Sequence, residues 1–195
     1  MTVTSAALLL FLVMDPLGNI AVFLAALKNV HPSRQNRVVI RELLIALGVL
    51  VVFLFSGKYI LQLLRISEPA LGISGGVILL LIALRMIFPS PVKSLKEEVD
   101  SEPFIVPLAI PYVAGPSTLA AELLLMSREP QRWPEWLLAL LLAWVVNSVI
   151  LYFASGFRKY LGEKGLIALE RLMGMILVTV AVQMLVTGIE QALAR

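Results

Sequence analysis

The chain contains no cysteine and a single histidine, His31, among its 195 residues. Disulfide exchange, iron–sulfur ligation and any Cys/His metal site are thereby excluded. Charge is also scarce: 15% of the residues are charged, where a soluble domain carries about a quarter. No GxxxxGK[ST] phosphate loop occurs, so ATP-driven chemistry by this chain alone is not expected. The net charge of +3 resides outside the apolar segments and bears on topology, not on nucleic acid. A basic flank ahead of the first apolar stretch is missing, so that stretch reads as a retained membrane helix and not as a cleaved leader. What fills the chain instead is apolar: 59% of residues are hydrophobic and the mean hydropathy is +0.93. Such a composition belongs to a membrane protein.

Windows of roughly 20 apolar residues are long enough to cross a bilayer. Six are expected, over residues 5–28, 43–63, 70–88, 104–126, 136–157 and 171–190. The linker-like stretch from Pro89 to Glu102 divides the chain almost into halves. With six crossings, eleven of the 16 Lys and Arg residues collect on the side of the first, third and fifth loops. That side is therefore expected to be cytoplasmic, with both termini outside, which in a bacterium is the periplasm. Trp133 and Trp136, where the fifth span begins, fit an outer aromatic belt.

Two of the spans are interrupted. SAALLLFLVMDPLGNIAVFLAAL carries Asp15-Pro16 at its middle, and FIVPLAIPYVAGPSTLAAELLLM carries Gly115-Pro116. An aspartate and helix breakers at bilayer depth are costly and mark function by default. Asp is a preferred N-cap and Pro suits the first helical position, so a new half-helix is predicted to open at each break. Pro107 and Pro111 should irregularise the backbone ahead of the second break.

A shift of about a hundred residues superimposes the halves. Pro16 meets Pro116, Ser56-Gly57 meets Ser155-Gly156, and GVILLLIALRMI from Gly76 matches GMILVTVAVQML from Gly174, at offsets between 98 and 100. A unit of three spans crosses an odd number of times, so its second copy enters the membrane inverted. The expected fold is an all-α integral membrane domain, 1–195. It comprises two inverted three-helix repeats, 1–92 and 93–195, with helices 1 and 4 broken at mid-membrane.

In that arrangement the two restarted helices point at each other. Their free N–H groups favour an anionic group such as a carboxylate, and Asp15 supplies negative charge for an ammonium, a proton or a sodium ion. The candidate substrate- and ion-binding residues are Asp15, Pro16, Gly18, Asn19, Gly115, Pro116, Ser117 and Thr118. Plainer roles stay open: Asp15 as a cap alone, and Ser117 and Thr118 bonding back to freed carbonyls. Asn147, Glu122 and Gln183 are candidates for the pathway. For Asn147, Ser148 and Gln183, hydrogen bonds between helices are the expectation. For Glu122 and Arg85 it is snorkelling outward. Gly72, Gly75, Gly76 and Gly174 read as close helix-packing positions.

The stretches MDPLGNIAVFLAAL, RELLIAL, ISGGVILLLIALRMIFP, EPFIVPLAIPYVAGPSTLA and GEKGLIALERLMGMILV resemble the MarC family of bacterial inner-membrane proteins. The likeness runs over essentially the whole chain, and the family is in turn similar to the six-span amino-acid exporters typified by the lysine exporter. It implies inner-membrane residence and relatives that move small neutral amino acids on an ion gradient. The family's DP-G-N motif falls on Asp15, Pro16, Gly18 and Asn19, and its GP-S/T motif on Gly115, Pro116, Ser117 and Thr118.

The expected function is ion-coupled secondary transport of a small solute, foremost a neutral amino acid, by alternating access. The alternatives are a non-transporting membrane scaffold and an exporter of another small metabolite or drug. An enzyme is not expected, because no His or Cys partner stands beside Asp15 and Glu122. No cofactor or metal is expected beyond a coupling proton or sodium ion. The partners are the lipid bilayer, a small-molecule substrate and, as an open option, further copies of the chain.

Overall fold

The computed structural model describes residues 1–28, 30–63, 65–88, 104–105 and 108–193. The linker at Pro89–Glu102, the boundary between residues 92 and 93, and Pro107 lie outside them. Among the described residues seven α-helices follow one another: α1 Val3–Met14, α2 Pro16–Ala26, α3 Pro32–Leu63, α4 Glu68–Ile87, α5 Pro116–Arg128, α6 Trp133–Tyr152 and α7 Ala154–Leu193. Leu108–Val113 winds as a wide π-type segment ahead of α5. Among the described residues there is no strand.

Local chemistry accounts for the helix starts. Thr2 and Ser67 cap α1 and α4 by accepting from Ser5 N–H and Ala70 N–H. Pro16, Pro116, Pro69 and Pro134 occupy the first or second helical positions of their helices, where a missing N–H costs nothing. Two expected loops turn out to be largely helical. α3 begins at Pro32, eleven residues ahead of the expected span at 43, so most of the basic first loop extends the helix. The loop expected after Phe157 is taken up by α7, which is bent at Gly162. There φ is +66°, a conformation that favours glycine.

Among the described residues, five segments are long and apolar enough to cross a membrane: Val3–Ile20, Pro32–Gly57, Pro69–Ile87, Pro130–Tyr152 and Lys164–Leu193. The fourth expected span, 104–126, is not among them. Ile110 departs from helical geometry, with φ −127° and ψ 126°, and α5 restarts only at Pro116 with 13 residues. The prolines thus divide this segment into pieces too short to count as one helix. Large apolar side chains such as Leu8, Val52, Leu81, Leu138 and Val149 are exposed, as a surface in contact with lipid requires.

Helices α3 and α6 run antiparallel. Asn36 Nδ2 donates to Tyr152 Oη at 3.3 Å, Trp144 Nε1 donates to the Leu43 carbonyl at 2.9 Å, and the Phe55 and Trp133 rings meet at 5.7 Å. α4 and α7 form the most extensive helix pair, also antiparallel. Here glycine lets backbones touch: a Cβ on Gly76 would lie 3.1 Å from the Ala181 carbonyl oxygen and 3.0 Å from Leu185 Cγ. One on Gly174 would lie 3.0 Å from the Ala83 carbonyl oxygen and 2.9 Å from Ile87 Cγ1. These are the small-residue contacts of membrane helix pairs. The Met1 ammonium lies 3.7 Å from Glu129. Arg132 bridges Glu129 and Glu135. Its hydrogen bond holds the Glu129 carboxyl below the usual carboxylate range.

Two glycine substitutions should separate packing from propensity. Gly76→Ile inserts a branched side chain against the α7 backbone and should destabilise by about 1–3 kcal/mol. Gly48→Ala, in α3 with no atom within 4 Å of the new Cβ, should stabilise by roughly 0.5–1 kcal/mol. Thermal unfolding of the purified protein in detergent gives both signs.

Candidate functional site

At the first break one residue ends α1 and begins α2. Asp15 adopts a left-handed conformation, φ 45° and ψ 60°, which aspartate tolerates better than most residues. Its N–H donates to the Phe11 and Leu12 carbonyls at 3.2 and 3.1 Å, and its carbonyl accepts from Asn19 N–H at 3.1 Å. Its carboxylate accepts from Gly18 N–H at 3.1 Å. The capping role expected of Asp15 is therefore present. Gly18 has no room for a side chain, because a Cβ would collide with the Asp15 carboxylate and come within 2.6 Å of Met86 Cε.

The second break is built differently. Gly115 precedes α5 in an extended conformation and gives no side-chain cap. A Cβ at Gly115 would lie 2.6 Å from the Pro111 carbonyl oxygen, so the chain folds back on itself only with glycine there. Ser117 and Thr118 are buried at the start of α5. Among the described residues neither hydroxyl makes a hydrogen bond, so the bonding back to freed carbonyls that the sequence allowed is absent.

Asn19 joins the two breaks. Its Nδ2 donates to the Met14 carbonyl at the end of α1 and to the Tyr112 carbonyl ahead of α5, both at 2.9 Å. Each carbonyl lies where a helix has been interrupted and lacks its regular partner. Both amide protons are thus committed within the protein, which leaves the side-chain oxygen as an acceptor.

Between the breaks and the α4–α7 pair lies a cavity of about 450 Å³. Asp15, Gly18, Asn19, Gly115, Pro116, Ser117 and Thr118 line it, with Leu79, Leu177, Arg85 and Glu170. Of the expected site residues Pro16 alone stays out of the wall, spent in the first turn of α2. Arg85 is exposed at the end of α4, as snorkelling requires, yet it also borders this cavity. Glu170 escaped the sequence reading because its segment was taken as a loop. Its seven-residue spacing to Leu177, two helical turns on one face, was the available signal. Among the described residues no group of three His, Asp or Glu side chains is placed to hold a metal ion.

The three pathway candidates lie elsewhere. Glu122 does not snorkel: it is 0% exposed, and neither carboxylate oxygen has a hydrogen-bond partner among the described residues. α5 packs against α1, α3, α4 and α6, which leaves it no face toward lipid. Asn147 is also fully buried, and its amide, like the Ser148 hydroxyl, finds no hydrogen-bond partner among the described residues. The interhelical bonds expected of Asn147 and Ser148 are therefore not made, because no polar group of a facing helix reaches them. Gln183 donates to Thr187 Oγ1 at 3.1 Å within α7 and lines a second cavity of about 520 Å³ near Met1.

Because, among the described residues, Asn19 alone ties the breaks through side-chain hydrogen bonds, Asn19→Ala should cost about 1–3 kcal/mol per carbonyl left unpaired. Ser117→Ala, which removes no hydrogen bond, should cost far less. A comparison of melting temperatures in one detergent checks the order.

The profile of the family described as MarC family integral membrane protein matches residues 1–193. Over 96% of this chain and 95% of its own length, the UPF0056 inner membrane protein YhgN of Escherichia coli K12 is 52% identical. A UPF0056 membrane protein of Buchnera aphidicola from Schizaphis graminum is 46% identical over 96% of both chains. One from Chlamydia pneumoniae is 36% identical over 95% of this chain and 93% of its own. No solved structure matches the chain significantly.

Proposed function

We start from a chain that belongs to the MarC family of integral membrane proteins and propose that it is an inner-membrane secondary transporter of a small zwitterionic solute, foremost a neutral amino acid. The observation that carries this reading is the cavity in which a carboxylate faces an uncapped helix N-terminus. Asp15 sits on one wall, and the start of α5 at Gly115-Pro116, with no side-chain cap, sits on another. A substrate carboxylate suits the Ser117 and Thr118 N–H groups and hydroxyls. Its ammonium suits Asp15, with Glu170 at the same cavity. A proton or sodium ion shared with Asp15 couples transport to the gradient. Irregular backbone at this depth is tolerable because it lines a cavity, as in other transporters with discontinuous helices.

Two inverted repeats give such a site its second conformation. In support, Gly76 touches Ala181 and Leu185 while Gly174 touches Ala83 and Ile87. With Gly76 matched to Gly174, Ala83 falls on Ala181 and Ile87 on Leu185, so each contact is the other seen from the opposite side. Such reciprocity is the mark of a two-fold arrangement. Inner-membrane residence is supported by the name of the Escherichia coli relative, and periplasmic termini by the excess of basic residues on the other side.

Proteoliposomes loaded with a panel of small solutes test the function. Cation-dependent movement of neutral amino acids is expected, with Asp15→Asn lowering it at least tenfold, the loss of one charge-assisted contact. Normal, ion-coupled flux in that variant would remove Asp15 from coupling. No flux of any solute by correctly oriented protein would favour the scaffold, in which Asp15 serves only as the cap it visibly is. For orientation, a cysteine introduced at Arg195 should react with an impermeant reagent from outside the cell; reaction only from the cytoplasm reverses the topology.

A further inference from the structure

The register that pairs Gly76 with Gly174 also relates the two cavities. At that offset of 98 residues, Ile82, Arg85 and Met86 of α4 correspond to Val180, Gln183 and Met184 of α7, and Gly72 corresponds to Glu170. Ile82, Arg85, Met86 and Glu170 line the cavity at the breaks. Val180, Gln183, Met184 and Gly72 line the cavity near Met1. Every one of these wall positions has its counterpart in the other wall. Leu79 and Leu177, which also correspond, both face the cavity at the breaks, as residues beside a symmetry axis do. The reciprocal glycine contacts show that this register is a feature of the packed helices and not only of the sequence.

We propose that the cavity near Met1 is the second access vestibule of the transport route. It is the symmetry counterpart of the one that now reaches the breaks, and it joins them when that one closes. The inference rests on the transport reading. If the repeats exchange conformations, α7 takes the setting that α4 now has. The walls around Gly72, Val180, Gln183 and Met184 then take the shape now held by Glu170, Ile82, Arg85 and Met86. The way out from Asp15 and α5 thereby moves to the opposite face of the membrane.

The correspondence also shows where the halves differ. Arg85 is matched by Gln183, and Glu170 by Gly72. One vestibule offers a zwitterion a charge of each sign, while the other offers at those positions an amide and no side chain. In the vestibule of Gln183 the charged lining comes instead from Arg128 and Glu129, outside the positions that the repeat matches.

The natural absence of cysteine makes the test direct. Ile82→Cys and Val180→Cys, each alone, are treated with an impermeant maleimide in vesicles of known orientation and should react from opposite faces. Adding Ile82→Trp, which fills the vestibule at the breaks, should speed reaction of the Val180→Cys variant by roughly fivefold or more. Val180→Trp should do the same for the Ile82→Cys variant; phenylalanine replaces tryptophan wherever the protein is not monodisperse in detergent. Rates indifferent to the bulky residue overturn the proposal. So does a Val180→Cys variant that reacts only with a lipid-soluble maleimide, which makes the cavity a lipid pocket. Amino-acid flux, measured in parallel, separates the two readings. Reciprocal labelling without flux keeps the vestibule and removes the substrate assignment, whereas flux without reciprocity does the opposite.

Discussion

Everything distinctive in this chain depends on one constraint: a helix interrupted inside a bilayer must find partners for its freed backbone groups. In hydrocarbon each unpaired N–H or C=O costs several kcal/mol (about 2–7 by transfer measurements). The first break meets the constraint with two residues. Asp15 turns the chain through a left-handed conformation and caps the new helix with its own carboxylate. Asn19, one turn on, reaches back to Met14 and across to Tyr112. The second break has no equivalent side chain and uses glycine, proline and a wide turn. The cavity exists because the two solutions differ: one break is closed by side chains, and the other leaves a helix start open.

Much of this was legible in the sequence because caps and prolines act locally. Asp15-Pro16 and Gly115-Pro116 specify helix starts whatever surrounds them, and the glycines of α4 and α7 announce close contact by their size. Other features depend on partners distant in the chain. The bond from Asn19 to Tyr112 spans 93 residues, and no local pattern encodes it. Glu122 was expected to reach lipid because its neighbours in sequence leave that open. It is buried because α5 is surrounded by other helices, which is a property of packing. Glu170 was hidden by a helix boundary, since α7 continues upstream through residues whose charges read as loop.

The polar side chains inside the molecule are not all partnered. Asp15 and Asn19 are bonded and belong to the breaks. Glu122, Asn147 and Ser148 are enclosed among helices with polar atoms left unpaired, a state that destabilises the packed form. A fold that carries such a penalty is held less firmly in its present arrangement than its apolar packing implies. A second arrangement of the same helices therefore has less stability to match.

The glycine contacts between α4 and α7 have a mechanical consequence. Where side chains interlock like gear teeth, one helix moves past another only in steps, because each knob must leave its hole. At Gly76 and Gly174 the main chain of one helix meets an alanine carbonyl of the other, and a large side chain, Leu185 or Ile87, is seated on each glycine. The two teeth are counterparts of one another in the repeat, one carried by each helix. The pair holds together through close approach, and a turn about the crossing point lifts both teeth together.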